Sequence, residues 1–87
     1  MKHAGQVAIS RLEDVLAELR GIDALKEKRP GVFYRRSKAF LHFHEDPAGL
    51  FADVRLSAED FTRMAVNTAA ERKRLVKAVR NAIGDSL

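Results

Sequence analysis

Residues 6–20 (QVAISRLEDVLAELR) carry apolar side chains at Ile9, Leu12, Val15, Leu16 and Leu19. This is the i, i+3, i+4, i+7 stripe of a half-buried helix, with Arg11, Glu13, Asp14 and Glu18 on the other side. The pattern predicts a helix over residues 5–20, ended by Gly21, where a left-handed cap is favoured. Ser10 and Glu13 also have the spacing of a capping box, which would start the helix later. The apolar residues before Ser10 favour the longer helix.

The period then changes from 3.6 to 2. Residues 32–35 (VFYR) and 39–44 (AFLHFH) are rich in β-branched and aromatic side chains, with Arg36 and Ser37 at a tight turn between them. Residues 50–56 (LFADVRL) alternate Leu50, Ala52, Val54 and Leu56 with Phe51, Asp53 and Arg55. Asp46-Pro47-Ala48-Gly49 has the residues of a type I turn. That loop sets Glu45 opposite Leu50, His44 opposite Phe51, His42 opposite Asp53 and Leu41 opposite Val54. Both apolar sets then share a face, so the register is self-consistent. Residues 60–66 (DFTRMAV) give a shorter fourth strand through Phe61, Met64 and Val66.

Thr68-Ala69-Ala70-Glu71 is a capping box. It opens a second helix over residues 69–83, with Leu75, Val76, Val79, Ala82 and Ile83 inward and Gly84 as the stop. The irregular stretch 21–31 is expected to tuck Ile22 and Leu25 under the sheet, with a short edge strand near residues 25–28. The predicted fold class is α+β. It is a two-layer sandwich in the order α-β-β-β-β-α, an antiparallel sheet with two helices on one face.

Composition bounds this picture. The chain has 87 residues, room for one domain only. It has no cysteine, which excludes disulfides, thiolate metal sites and cysteine catalysis. A domain this small is marginally stable alone, so a homodimer or another protein partner is expected. Residues 1–6 offer no apolar h-region and no apolar run is long enough to span a bilayer. The expectation is a cytoplasmic protein without a membrane role.

The net charge is +4 but uneven. Residues 28–38 carry +5 and residues 68–87 carry +3, while residues 1–27 carry −1 and residues 39–67 carry −3. Lys28, Arg29, Arg35, Arg36 and Lys38 form one cluster, interleaved with Phe33 and Tyr34. Arg72, Lys73, Arg74, Lys77 and Arg80 form the other. Basic residues with interleaved aromatics suit a single-stranded nucleic acid. A solvated helix face and a charged edge strand explain the same residues more simply.

The second sheet face carries Phe40, His42, His44, Phe51, Asp53 and Arg55. It is too polar for a core and too aromatic for ordinary solvent exposure, so it is the expected ligand- or partner-binding face. His42-x-His44 puts two imidazoles on one strand face, about 7 Å apart at Cα. With Asp53, and with Glu45 or Asp46 near, the set has the chemistry of a zinc, nickel or iron site. The plainer reading is two histidines packed between Phe40 and Phe51, with His42 hydrogen-bonded to Asp53. Such a pair also has the make-up of a general base, for which a two-layer domain offers little pocket. No glycine-rich phosphate loop or nucleophile elbow is present, so no cofactor and no acyl or nucleotide chemistry is expected.

The block KAFLHFHEDPAGLFADVRL resembles the luciferase-like domain family, which has an F-x-H-x-H strand, a turn and a second strand. Phe40, His42 and His44 match the first strand and residues 50–56 the second. The second strand departs from the family in carrying Phe51 and Asp53 in place of a further histidine. The chain also lacks a tryptophan after the hairpin. In its helices on an antiparallel sheet the chain is more loosely similar to MmcQ/YjbR-like α+β domains. Both resemblances imply a small standalone bacterial domain and carry no functional residue across.

Overall fold

A computed structural model describes residues 2–57 and 59–84. The elements run β1 (Lys2–His3), α1 (Gln6–Arg11), α2 (Glu13–Arg20), β2 (Lys26–Arg29), β3 (Val32–Arg35), β4 (Lys38–Asp46), β5 (Gly49–Val54), β6 (Thr62–Ala65) and α3 (Ala69–Ile83). The sheet is antiparallel in the order β2-β3-β4-β5-β6, and β1 pairs with β4. The protein is an α+β sandwich.

The β4–β5 hairpin has the register that the turn chemistry dictates. Leu41 faces Val54, His42 faces Asp53, His44 faces Phe51 and Glu45 faces Leu50. Pairing runs one step further, to Asp46 and Gly49, leaving Pro47 and Ala48 as the loop. Asp46 Oδ1 accepts from the Ala48 amide at 2.8 Å, the side-chain turn that aspartate forms readily. At the β3–β4 hairpin Arg36 and Ser37 both have positive φ, 53° and 68°. Two consecutive left-handed residues make the turn whose twist matches the flanking strands.

α3 spans the residues that its capping box and its glycine stop define. Glu71 N donates to Thr68 Oγ1 at 3.1 Å, and Thr68 N donates back to Glu71 Oε1 at 3.1 Å. Gly84 closes the helix at φ 76°.

Gly21 ends α2 as expected, but in right-handed backbone at φ −80° and not in a left-handed cap. Three further features depart from the sequence pattern. The single helix expected over residues 5–20 is two helices, broken at Leu12. Ser10 Oγ bonds the Gln6 carbonyl at 3.1 Å, a back-bond that bends helices, and Leu12 N takes the Ile9 carbonyl in a tighter turn. Ser10 therefore does not cap α2. The edge strand expected near residues 25–28 forms as β2, one residue later. Finally, β1 adds a two-residue strand that the pattern did not contain.

Leu41, Phe43, Ala52 and Val54 point at the helices and join Phe33, Leu12, Val15, Leu16, Leu19, Leu75, Val76 and Val79 in one buried cluster. Ile22 and Leu25 belong to it too. Among the described residues the helices cover this face of the sheet alone, and the alternate positions form a separate face.

An ion pair fastens α2 to the β2–β3 hairpin. Arg20 donates from Nε and Nη2 to Glu27 at 2.6 and 3.2 Å, and the Gly31 amide donates to Glu27 Oε2 at 3.0 Å. The Arg20 guanidinium holds the Glu27 carboxyl below its ordinary value of 4.5, against burial, which pushes it up, and with help from the Gly31 amide. A depressed carboxylate pKa contributes stability above the unfolded value, and the contribution is lost as pH falls through the folded value. Glu27→Gln is therefore expected to cost about 1 kcal/mol at neutral pH, and the gap from wild type to close only as pH falls below the ordinary carboxylate range. Urea unfolding of both proteins across pH checks this. A gap that stays constant through acid would contradict it.

Candidate metal site on the open sheet face

Antiparallel register assembles the site as two adjacent rows across the sheet. One row runs Val32, His42, Asp53, Arg63 and the next runs His3, His44, Phe51, Ala65. Residues directly opposite in a ladder share a face, so the three histidines of the chain meet on one side. β1 delivers His3. It is held by the pairing of His3 with His44, by Ala4 N donating to the Phe43 carbonyl at 3.1 Å, and by Gly5 N donating to Glu45 Oε2 at 2.6 Å.

The imidazole nitrogens of His3, His42 and His44 come within 4.8 Å of one another. The His42 and His44 rings sit edge to face with centroids 4.4 Å apart, and His3 lies 5.7 Å from the first and 5.4 Å from the second. His44 Nε2 is 3.1 Å from Asp53 Oδ2, in contact but out of line for a hydrogen bond. Arg63 grips the same carboxylate through two bonds of 2.8 and 3.1 Å. Asp53 is only 9% exposed, so this clamp is what keeps a charged group in place.

Three nitrogens in this cluster, His42 Nδ1, His44 Nδ1 and His44 Nε2, are buried without a hydrogen-bond partner. Burial pushes the His42 pKa down, the neighbouring His44 adds to the shift, and Asp53 opposes it, while His3 and Arg63 lower it further. His42 is thus held as a neutral imidazole with a lone pair. Asp53 is held below its ordinary 3.8, first by the Arg63 bonds and against burial.

Phe61 covers the His42 side of the cluster at 5.2 Å between ring centroids, and Arg55 lies over the opposite side of this contact, 4.4 Å from the Phe61 ring. Phe61 is 39% exposed, so the lid is partial.

The structure thus sorts the residues that the sequence singled out. His42, His44 and Asp53 come together. Asp53 touches His44, however, not its direct opposite His42, because the contact runs along the diagonal of the ladder. Phe51 is half-buried in the His44 row, and Arg55 reaches the site only through Phe61. Phe40 is not a free surface aromatic. It is 3% exposed and part of the hydrophobic cluster. The cause is a β-bulge: Phe33 pairs with Leu41 and Tyr34 with Ala39, so Phe40 is an extra residue on β4, where strict alternation fails. Glu45 and Asp46 are also spoken for, by the Gly5 and Ala48 amides. His3, Arg63 and Phe61 are the site residues that the pattern reading missed.

The basic residues divide. Arg72 is bonded to Asp14 at 2.9 Å and to the Val66 carbonyl at 3.1 Å, and Arg80 lies 4.0 Å from Glu18. Lys73 and Lys77 are exposed on α3, as are Arg29 and Lys28 on β2, where Lys28 lies 5.7 Å from the Tyr34 ring. Arg35, Arg36 and Lys38 gather at the β3–β4 turn. No helix among the described residues is long and apolar enough to cross a membrane.

Comparisons with protein-family models, with curated proteins and with solved structures find no match to the chain.

Proposed function

We propose that the open sheet face is a binding module for a divalent transition metal, held by His3, His42 and His44. The observation that carries this is that His3, His42 and His44 each bring one ring nitrogen within 4.8 Å of the others, on a face that no helix covers among the described residues, and that His42 and His44 hold buried nitrogens without hydrogen-bond partners. Buried polar atoms in folded proteins are almost always satisfied, and a shared cation takes up one nitrogen of each ring. Three imidazoles with a neighbouring carboxylate are borderline-soft ligands, which selects zinc, copper or nickel over magnesium or calcium. Ligand nitrogens on a tetrahedral zinc stand about 3.3 Å apart, so from separations of up to 4.8 Å the rings need to close by about 1.5 Å at most. His3 is exposed on a two-residue strand and supplies that movement. Asp53, clamped by Arg63, sets a carboxylate against His44.

Three protein nitrogens leave a coordination position for a fourth ligand, as open zinc sites do. The module would therefore present the ion to a further ligand from solvent or from a partner.

The test is titration of tag-free protein with cobalt(II) and zinc. The expected result is a tetrahedral cobalt spectrum that saturates at one equivalent and is displaced by zinc. Absence of a saturable spectrum, together with no retained zinc after dialysis, would overturn the reading.

A further inference from the structure

Beyond the histidine face, the cationic end of the β3–β4 hairpin borders a cavity of about 400 Å³. Arg35, Arg36, Lys38 and Arg55 line it, and Phe40 and Leu56 give it an apolar wall. No aspartate or glutamate is among its described lining residues. The size is that of a pocket for a small ligand.

Four cations around one cavity repel each other. Arg35 and Lys38 are direct partners in the ladder, an arrangement of like charges that weakens a hairpin. Among the described residues neither they nor Arg36 form an ion pair. Arg35 Nε is buried and has no acceptor, a cost that proteins seldom leave unmet. Arg55 is already positioned. Its Nε donates to the Ala39 carbonyl at 3.1 Å and its Nη1 to the Glu59 carbonyl at 3.4 Å, with Phe61 beneath it.

We infer that this cavity binds a phosphomonoester borne on an apolar or aromatic group. The dianion supplies the acceptor that Arg35 Nε lacks, and it neutralises a cluster otherwise held together against its own charge. Guanidinium groups match phosphate oxygens in pairs, which fits a site built mainly of arginine. Half-buried Leu56, with Ala39 and Ala82, receives the organic portion. This inference stands apart from the metal reading, because none of its residues is a histidine.

The probe is phenyl phosphate, titrated into chelator-treated protein and followed by amide chemical shifts. Saturable binding is expected, with shifts centred on residues 35–40 and 55–57. Inorganic phosphate is expected to bind at least severalfold more weakly, and neutral benzyl alcohol to cause no such shifts. Arg35→Gln is expected to weaken phenyl phosphate at least tenfold with an unchanged circular dichroism spectrum. Lys38→Gln, at the exposed hairpin end, gives a second readout should Arg35→Gln misfold. Shifts spread evenly over α3 and the hairpin, or equal affinity in both variants and wild type, would overturn the inference. An oligothymidylate that binds where phenyl phosphate does not would also overturn it, and would assign the cations to a phosphodiester backbone.

Discussion

Replacing His42 with alanine is expected to weaken zinc binding by about 100-fold or more, because it removes one of three ligands outright, whereas loss of an orienting carboxylate typically costs about 10–100-fold. Two imidazoles on separate strands, one of them on the short β1, cannot close a site. His42 is half-buried and sits outside the helix-covered core, so the variant should fold. Competition against a chromophoric zinc chelator gives the affinity, and the circular dichroism spectrum reports the fold. Asp53→Asn should show the smaller loss, since it keeps all three rings and removes only the neighbouring carboxylate. An alanine variant that binds zinc as tightly as wild type would show that the ion, if bound, sits elsewhere.

The largest stability effect is expected from Phe43→Ala. Phe43 is one residue from His42 and His44, yet points to the opposite face, where it is 1% exposed. It stands opposite Ala52 and against Gly31, so the neighbours have little side chain with which to fill a void. Truncating a buried phenylalanine costs about 3–5 kcal/mol. A domain of this length holds only about 4–13 kcal/mol in total, by the usual per-residue range. The variant should therefore lose a large share of its unfolding free energy or unfold near ambient temperature. Phe61→Ala, on the open face, should cost far less. Urea unfolding of the two variants separates the faces, and equal losses would contradict the assignment of Phe43 to the core.

Much of this was legible from residue order. The Asp46–Gly49 turn fixed the β4–β5 register, because only that pairing puts Leu41, Phe43, Ala52 and Val54 together. Thr68, Glu71 and Gly84 marked both ends of α3. Half of the site was readable in the same way, since His42, His44 and Asp53 follow from that one register.

The rest was hidden for physical reasons. A two-residue strand has no periodicity, so His3 gave no sign of belonging to the sheet. The one available signal was that it is the third histidine of a chain that has three. Arg63 lay inside an expected strand, but its alignment with Asp53 depends on the β5–β6 register, which no tight turn specifies. Phe40 was misplaced because a bulge leaves no mark in an alternating pattern. Leu12 continues the helical stripe unbroken, so the break there was visible only in the backbone.

The docking of β1 has a consequence for the exposed side of the sheet. Beyond residue 42, β4 extends past the end of β3, and β1 occupies the backbone groups that this overhang would otherwise present to solvent. A bare strand edge is a template for another chain. The same short segment therefore both carries a ligand and blunts an edge. An ion that gripped His3 would also keep that edge closed against strand addition.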